Sequence, residues 1–254
     1  VPGGTRLIAE AAFRAGAGKV TIATIDSAAL PLGIALPACA VVALPETIKG
    51  EIAPEAADLI LAELPLHDAV VFGPAMIDSE SVASLLDALL GKLPPDMFVL
   101  LDAGALRAAS RHVSAIRKRG AHTVLTPHEG ELAAMLDRRA EDVSADPLSA
   151  LEEAAGRFGA AIMVKGSTSH LMAQGKRLTY AGGGLGLAIS GSGDVLGGLI
   201  AGLGARGLPT LEATAWGIWL HGEAGRRLAE TVGPLGYLAS ELAPLVPGLM
   251  RGVR

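Results

Sequence analysis

The stretch Ser190-Gly191-Ser192-Gly193-Asp194-Val195-Leu196-Gly197-Gly198-Leu199-Ile200-Ala201-Gly202 joins a glycine-serine turn to an apolar helical segment, with one carboxylate at the junction. The first amides of a helix have no partner inside it, and a glycine-rich turn lets an anion approach them closely, so this arrangement suits phosphate. Asp194 is out of place in such a nest. A carboxylate beside phosphate is repelled unless it meets a metal ion or takes a proton from a nearby hydroxyl, and the second role makes it a base for phosphoryl transfer. It reads equally as a helix cap.

Further polar residues fall directly after apolar runs. Asp102 follows Phe98-Val99-Leu100-Leu101, Thr126-Pro127-His128 follows Thr123-Val124-Leu125, Lys165 follows Ala161-Ile162-Met163-Val164, and Gly73-Pro74 follows Val70-Val71-Phe72. Short continuous apolar runs suit strands buried on both faces, the habit of a parallel sheet covered by helices. If these strands are parallel, their polar followers gather at the carboxyl edge of one sheet, where open α/β sheets bind ligands. A polar residue must follow every buried strand eventually; several with useful chemistry, sharing a chain with a phosphate nest, point to a site.

The elements that position these residues are read from periodicity. Thr5 to Ala15 carries apolar residues at helical spacing and is stopped by Gly16-Ala17-Gly18. Strands are expected at Lys19 to Ile25, Val41 to Leu44, Ala69 to Phe72, Phe98 to Leu101, Thr123 to Leu125 and Ala161 to Val164. Helices are expected at Ser79 to Leu90, Glu129 to Leu136 and Pro147 to Phe158. His170 to Ala173 should pair antiparallel with Leu178 to Tyr180 across Gln174-Gly175-Lys176, and two long helices, Val195 to Leu203 and Leu211 to Glu230, close the chain. The alternation predicts a three-layer α/β/α fold with a mainly parallel central sheet.

Composition sets the limits. The 254 residues suffice for one large α/β domain, and a second is not expected. A net charge of −5 gives no electrostatic footprint for nucleic acid. No apolar run approaches the roughly 18 to 20 residues of a membrane span. Cys39 is the only cysteine, which excludes a disulfide framework and points to a reducing cytoplasm. The chain starts on Val1 and opens almost directly on a helix, so an N-terminal piece is expected to be missing.

Thr126-Pro127-His128-Glu129-Gly130-Glu131, Val164-Lys165-Gly166, Ser190 to Leu196 and Leu220-His221-Gly222-Glu223-Ala224-Gly225 together resemble the ADP- or ATP-dependent NAD(P)H-hydrate dehydratases of the ribokinase-like superfamily. Their order and spacing agree, and the match runs from Pro2-Gly3 through Ala15 to Val20 and on to the last helix, essentially the whole chain. The resemblance implies one ribokinase-like domain over residues 1–254, without the family's first strand. It implies repair of nicotinamide cofactors hydrated at C6, a nucleotide being consumed to expel the hydroxyl. Asp194 would draw the proton from that hydroxyl as it attacks a phosphoryl group, while the amides of Gly191, Ser192 and Gly193 stabilise the developing charge. Phosphate then leaves, pushed by the ring nitrogen. By the same resemblance Lys165, Gly166, Ser167, Thr168 and Ser169, with Gly193, hold the adenine nucleotide. Gly4, Gly73 and His128 line the hydrate pocket with Asp194. Glu131 organises Mg2+ through water. The resemblance also implies a homo-oligomer, a tetramer or larger; the composition adds a cytoplasmic place with no nucleic-acid or membrane partner.

Each residue keeps a plain alternative. Lys165 also reads as a solvated strand end, Glu131 as a first-turn helix charge, His128 as a cap and Asp102 as a charge that fixes a turn. His221, among Trp216, Trp219 and Leu220, reads as a satisfied core histidine. The chain departs from the family pattern where Ala75 and Ile77 replace two loop glycines, where Gly4 replaces an alanine, where Gly104 replaces a second carboxylate, and at Ser190. A small-molecule kinase acting on a vitamin or sugar hydroxyl shares the nest and the base and is the second reading. A catalytically silent nucleotide-binding protein is the third.

Overall fold

The structure, a computed structural model, describes residues 2–251. Along the chain it runs α1 (Pro2–Arg14), β1 (Thr21–Ile25), α2 (Asp26–Ala35), β2 (Ala40–Leu44), α3 (Ala57–Glu63), β3 (Ala69–Phe72), α4 (Glu80–Leu90) and β4 (Phe98–Leu101). It continues through α5 (Gly104–Ala109), α6 (Val113–Arg119), β5 (Thr123–Leu125), α7 (Glu129–Leu136), α8 (Ala140–Ala145), α9 (Pro147–Phe158) and β6 (Ala161–Val164). Then come β7 (Ser169–Ala173), β8 (Lys176–Tyr180), α10 (Ser192–Ala205), α11 (Thr210–Thr231) and α12 (Val246–Leu249).

Strands β3 to β8 form one six-stranded sheet in sequence order. β3, β4, β5 and β6 are parallel, while β7 and β8 return antiparallel through a turn at Gln174-Gly175. Every residue of β4, β5 and β6 is buried, which is why these strands read as continuous apolar runs. One face is covered by α4, α5, α7 and α9 through residues such as Leu85, Leu106, Leu132 and Phe158; the other is covered by α10 and α11 through Val195, Leu199 and Leu220. This is the expected three-layer α/β/α arrangement with a mainly parallel sheet.

In one respect the sheet differs from expectation. β1 and β2 pair with each other, in parallel, but not with β3. Between β1 and β3 lies a cavity of about 430 Å3, lined along both strands and by α1 residues such as Ile8 and Ala12. Local patterning specifies each strand, whereas which strands become neighbours is decided by packing at a distance.

α10 contains several glycines, poor helix formers, yet forms fourteen residues of helix because α1 lies directly on it. A Cβ at Gly198 would sit 2.3 Å from the Ile8 carbonyl oxygen, and one at Gly202 would sit 2.6 Å from that of Ala12. The backbones therefore touch. This contact brings the first turn of α1 to the first turn of α10.

Candidate active site

α10 begins where the backbone swings through a left-handed residue, Gly191, with φ of 86°. Ser192 turns inward. Its N–H donates to the Ile189 carbonyl at 3.2 Å, and its hydroxyl lies 2.9 Å from Nε2 of His221, buried on α11. The Ser192 amide is thus engaged in its own turn, while the helix amides that follow it, those of Gly193 and Asp194, precede the first intrahelical bond, which Val195 N–H donates to the Gly191 carbonyl. His221 is a satisfied core histidine that anchors this turn.

Asp194 stands in the first turn of α10, partly buried. Burial pushes its carboxyl above the ordinary carboxylate range; Asp102 adds to the rise and Lys165 opposes it. Gly4, in the first turn of α1, lies so close that a Cβ there would be 2.8 Å from Asp194 Oδ2 and 3.4 Å from the Ala75 side chain. Gly4, Ala75 and Asp194 thus form one wall. The sequence flagged Ala75 only as a missing glycine. Its φ of 62° keeps the left-handed backbone that glycine adopts freely, while Ile77 is exposed and needs no such freedom.

Opposite this wall stand β4 and β6. Lys165 Nζ donates to Asp102 Oδ1 at 2.6 Å and lies 4.0 Å from Glu131 Oε2. The ammonium is also near the helix mouth, 3.9 Å from where a Cβ on Gly193 would be. Lys165 is thus no freely solvated strand end. Asp102 is 3% exposed and also accepts the Ala103 N–H at 2.8 Å. The sequence left Asp102 between a turn-fixing charge and a substrate contact; only its burial against a cation reveals its place here. Gly73 serves it too, since a Cβ there would meet the Asp102 carbonyl oxygen at 1.9 Å. That contact, at φ of 110°, excludes any other residue.

The Thr-Pro-His run supplies the floor. Lys165 N–H donates to the Pro127 carbonyl at 2.8 Å, bridging the ends of β5 and β6. His128 caps α7: its Nδ1 accepts the Gly130 and Glu131 N–H groups at 3.0 and 3.2 Å, and the Glu131 carboxylate accepts the His128 N–H at 2.8 Å. Both plain alternatives, cap and first-turn charge, are therefore realised, and His128 remains more than half exposed. Gly166 and Ser167 form an exposed turn, and Thr168 and Ser169 lead from it into β7.

For magnesium, no three His, Cys, Asp or Glu side chains cluster into a cage among the described residues. One partly exposed carboxylate, Glu131, beside a helix end suited to phosphate fits a hydrated Mg2+ carried on a nucleotide, because that ion keeps most of its waters.

This constellation has relatives. The chain is 38% identical to the ADP-dependent (S)-NAD(P)H-hydrate dehydratase of Xanthomonas campestris pv. campestris, over 98% of this chain and 84% of that protein. It spans about half the length of bifunctional NAD(P)H-hydrate repair enzymes that it also matches. Its fold superposes on a ribokinase-like superfamily protein of Enterococcus faecalis with a TM-score of 0.83 at 23% identity, covering 98% of this chain and 82% of that one. It also superposes on the ADP/ATP-dependent NAD(P)H-hydrate dehydratase of Bacillus subtilis, co-crystallised with ATP and Mg2+ and soaked with CoA. There the TM-score is 0.82 and the identity 25%, over 100% of this chain and 88% of that one. The fold is ribokinase-like, and with the family model for NAD(P)H-hydrate dehydratase matching residues 1–247, this chain belongs to that family.

Proposed function

We propose that this protein removes water from hydrated NADH and NADPH at the expense of an adenine nucleotide, ADP as in its Xanthomonas relative. The carrying observation is Asp194, a half-buried carboxylate with a raised pKa, at the end of a helix whose next free amides suit an anion. A base for a hydroxyl proton works best with such a raised value.

In this reading the nucleotide lies along Lys165 to Ser169, with its terminal phosphoryl group at the amides of Gly193 and Asp194. Gly191 supplies the turn that exposes them. Gly4, Gly73 and His128 line the hydrate pocket. Asp194 takes the proton of the C6 hydroxyl as its oxygen forms a bond to phosphorus and the bond to the departing nucleotide breaks. The ring nitrogen's electron pair then expels phosphate from C6, and loss of the adjacent proton restores the dihydronicotinamide. Lys165 offsets the phosphoryl charge. Mg2+ supplies further neutralisation when bound, and Glu131 would hold it through water. The vitamin or sugar kinase shares these parts, but the names of the relatives favour the dehydratase. The single cysteine agrees with a cytoplasmic place, and no helix among the described residues is long and apolar enough to cross a membrane. We read the protein as a homo-oligomer, for which exposed Trp216 and Trp219 on α11 offer an apolar face.

The experiment follows dihydronicotinamide absorbance after mixing the protein with hydrated NADH, ADP or ATP, and Mg2+. Absorbance should return only with nucleotide present. Asp194→Asn should lower turnover by at least about 100-fold, the usual contribution of a positioned base, while nucleotide binding persists. Absorbance that stays flat with the wild-type protein overturns the reading.

A further inference from the structure

Asp102 is the only buried carboxylate among the described residues, and nothing in the reaction as written uses it. Burying a charge is costly unless it is paired and hydrogen-bonded, so its partners show what it is for. Its Oδ1 accepts from Lys165 Nζ at 2.6 Å and from the Ala103 N–H at 2.8 Å. The backbone is bent to allow this: Ala103 sits at φ of 45° and ψ of −122°, a conformation unfavourable for a residue with a side chain. On its other side the carbonyl of Asp102 is packed against Gly73, where no Cβ fits. A carboxylate that only fixed a turn would need neither burial nor a lysine.

Lys165 stands between Asp102 and the mouth of α10. Its stem has four carbons and its ammonium is a compact charge that follows the nearest carboxylate. Without Asp102, the carboxylates within reach are Glu131, 4.0 Å away and already engaged in the α7 cap, and Asp194. A lysine paired with Asp194 would occupy the base.

We infer that Asp102 is a positioning residue: it clamps the Lys165 ammonium over the helix mouth, where it meets the phosphoryl group, and keeps it from pairing with Asp194. The inference rests on the reading of Asp194 as the base. Among the described residues, the groups facing Asp194 are few. β4 brings Asp102 and β6 brings Lys165; α1 brings Gly4 and the loop after β3 brings Ala75, neither titratable. Within α10, Gly193 adds no charge, and Ser192 is turned toward a neutral His221.

Two variants act on the clamp in opposite directions. Asp102→Asn keeps the shape and still accepts the Ala103 N–H, but removes a like charge from Asp194 and frees the cation toward it. Lys165→Met removes that cation. The carboxyl carbon of Asp194, followed by 13C NMR through a pH titration, reads the effect without needing turnover. In Asp102→Asn its midpoint should fall by about one pH unit or more, the usual effect of a closer cation, and in Lys165→Met it should rise. The acid limb of kcat should move in the same two directions, with kcat in Asp102→Asn lower by about tenfold or more as the base weakens. An Asp194 midpoint within 0.2 units (roughly the scatter of such a titration) in Asp102→Asn, or one that rises, overturns the inference. So does a loss of kcat accompanied only by a lower melting temperature. Wild-type protein with no nucleotide-dependent return of absorbance would instead sink the dehydratase reading, and the NMR midpoints would still decide the clamp.

Discussion

Burial on α11 pushes the His221 imidazole from 6.5 down to about 4, against a smaller upward pull from its hydrogen bond with Ser192. Between those two values the unfolded chain binds a proton that the native protein refuses, so stability rises with pH across that window and levels off above 6.5. Conversely, acidification from pH 6.5 to 4 should cost up to about 3 kcal/mol through this one group. Urea melts at intervals across that range check it; in His221→Gln, which can still hydrogen-bond Ser192, the slope should flatten. Asp194 has the opposite sign. Its carboxyl is raised, chiefly by burial, so the native state holds a proton more readily than the unfolded chain, and stability is lost as pH rises through its range. Asp194→Asn should therefore melt higher than wild type at neutral pH while losing turnover. A melting temperature that falls instead would mean that the carboxylate is well compensated. At Ala75 the conflict is conformational. Glycine there should stabilise the fold by about 0.5 to 1 kcal/mol, because the left-handed backbone carries a Cβ that it penalises.

The pairing of α1 with α10 couples stability to the site. Gly198→Ala would drive a Cβ into the Ile8 carbonyl, a backbone atom that cannot yield unless α1 moves away. Overpacking should outweigh the roughly 1 kcal/mol that alanine gains in a helix and leave a net loss of about 2 kcal/mol or more. As α1 moves, Gly4 leaves Asp194, so kcat should fall as well. Gly156→Ala on α9 is the contrast, since nothing lies within 4 Å of its Cβ, and it should stabilise by about 0.5 to 1 kcal/mol. Differential scanning calorimetry of the two variants separates close approach from helix propensity. The same elements show what the sequence reveals. β3, β4, β5 and β6 match the expected runs residue for residue; β4 and β6, buried on both faces, are apolar throughout. α2 was missed: it carries Pro31 and has Leu30 and Ile34 exposed on a helix with apolar residues all round, so it has no stripe to read. The short helices α3, α5, α6 and α8 span two turns or fewer, too little for a period to emerge. In the site, Asp194 and Lys165 were legible because glycine turns and strand ends have chemical meaning. Asp102 stood out by the same strand-end position, but its pairing with Lys165 was not legible, because nothing in a residue's identity tells that its carboxylate will be buried.

The strands of the molecule are unequally held. β4, β5 and β6 lie between two extensive apolar clusters, whereas β1 and β2 reach the first of these only through Ala23, Val42 and Leu44 and otherwise rest on a small one built from Ala9, Ile22, Ala28, Leu32 and Leu36. β1 has a neighbour on one side only, and its other side faces the cavity. Local opening energies follow buried apolar contact and paired backbone, so this two-stranded layer should open well below the free energy of global unfolding. Native-state hydrogen exchange in low denaturant should give β1 and β2 amides a lower opening free energy and a smaller denaturant slope than those of β4 and β5. The consequence reaches the site through α1, which joins the two sides: Ala11 packs in the extensive cluster beside α10, Ala9 belongs to the small one, and Gly4 lies against Asp194. Lys165 and Gly193 stand on the well-held side. Opening of the β1–β2 layer should loosen the Gly4 wall and leave the nucleotide's end of the site in place. In a urea series, turnover should then be lost at a lower concentration than helical circular dichroism, with nucleotide binding following the circular dichroism. Coincident midpoints for all three signals, or equal opening energies for β1 and β4, would mean that the cavity between β1 and β3 does not divide the molecule's cooperativity.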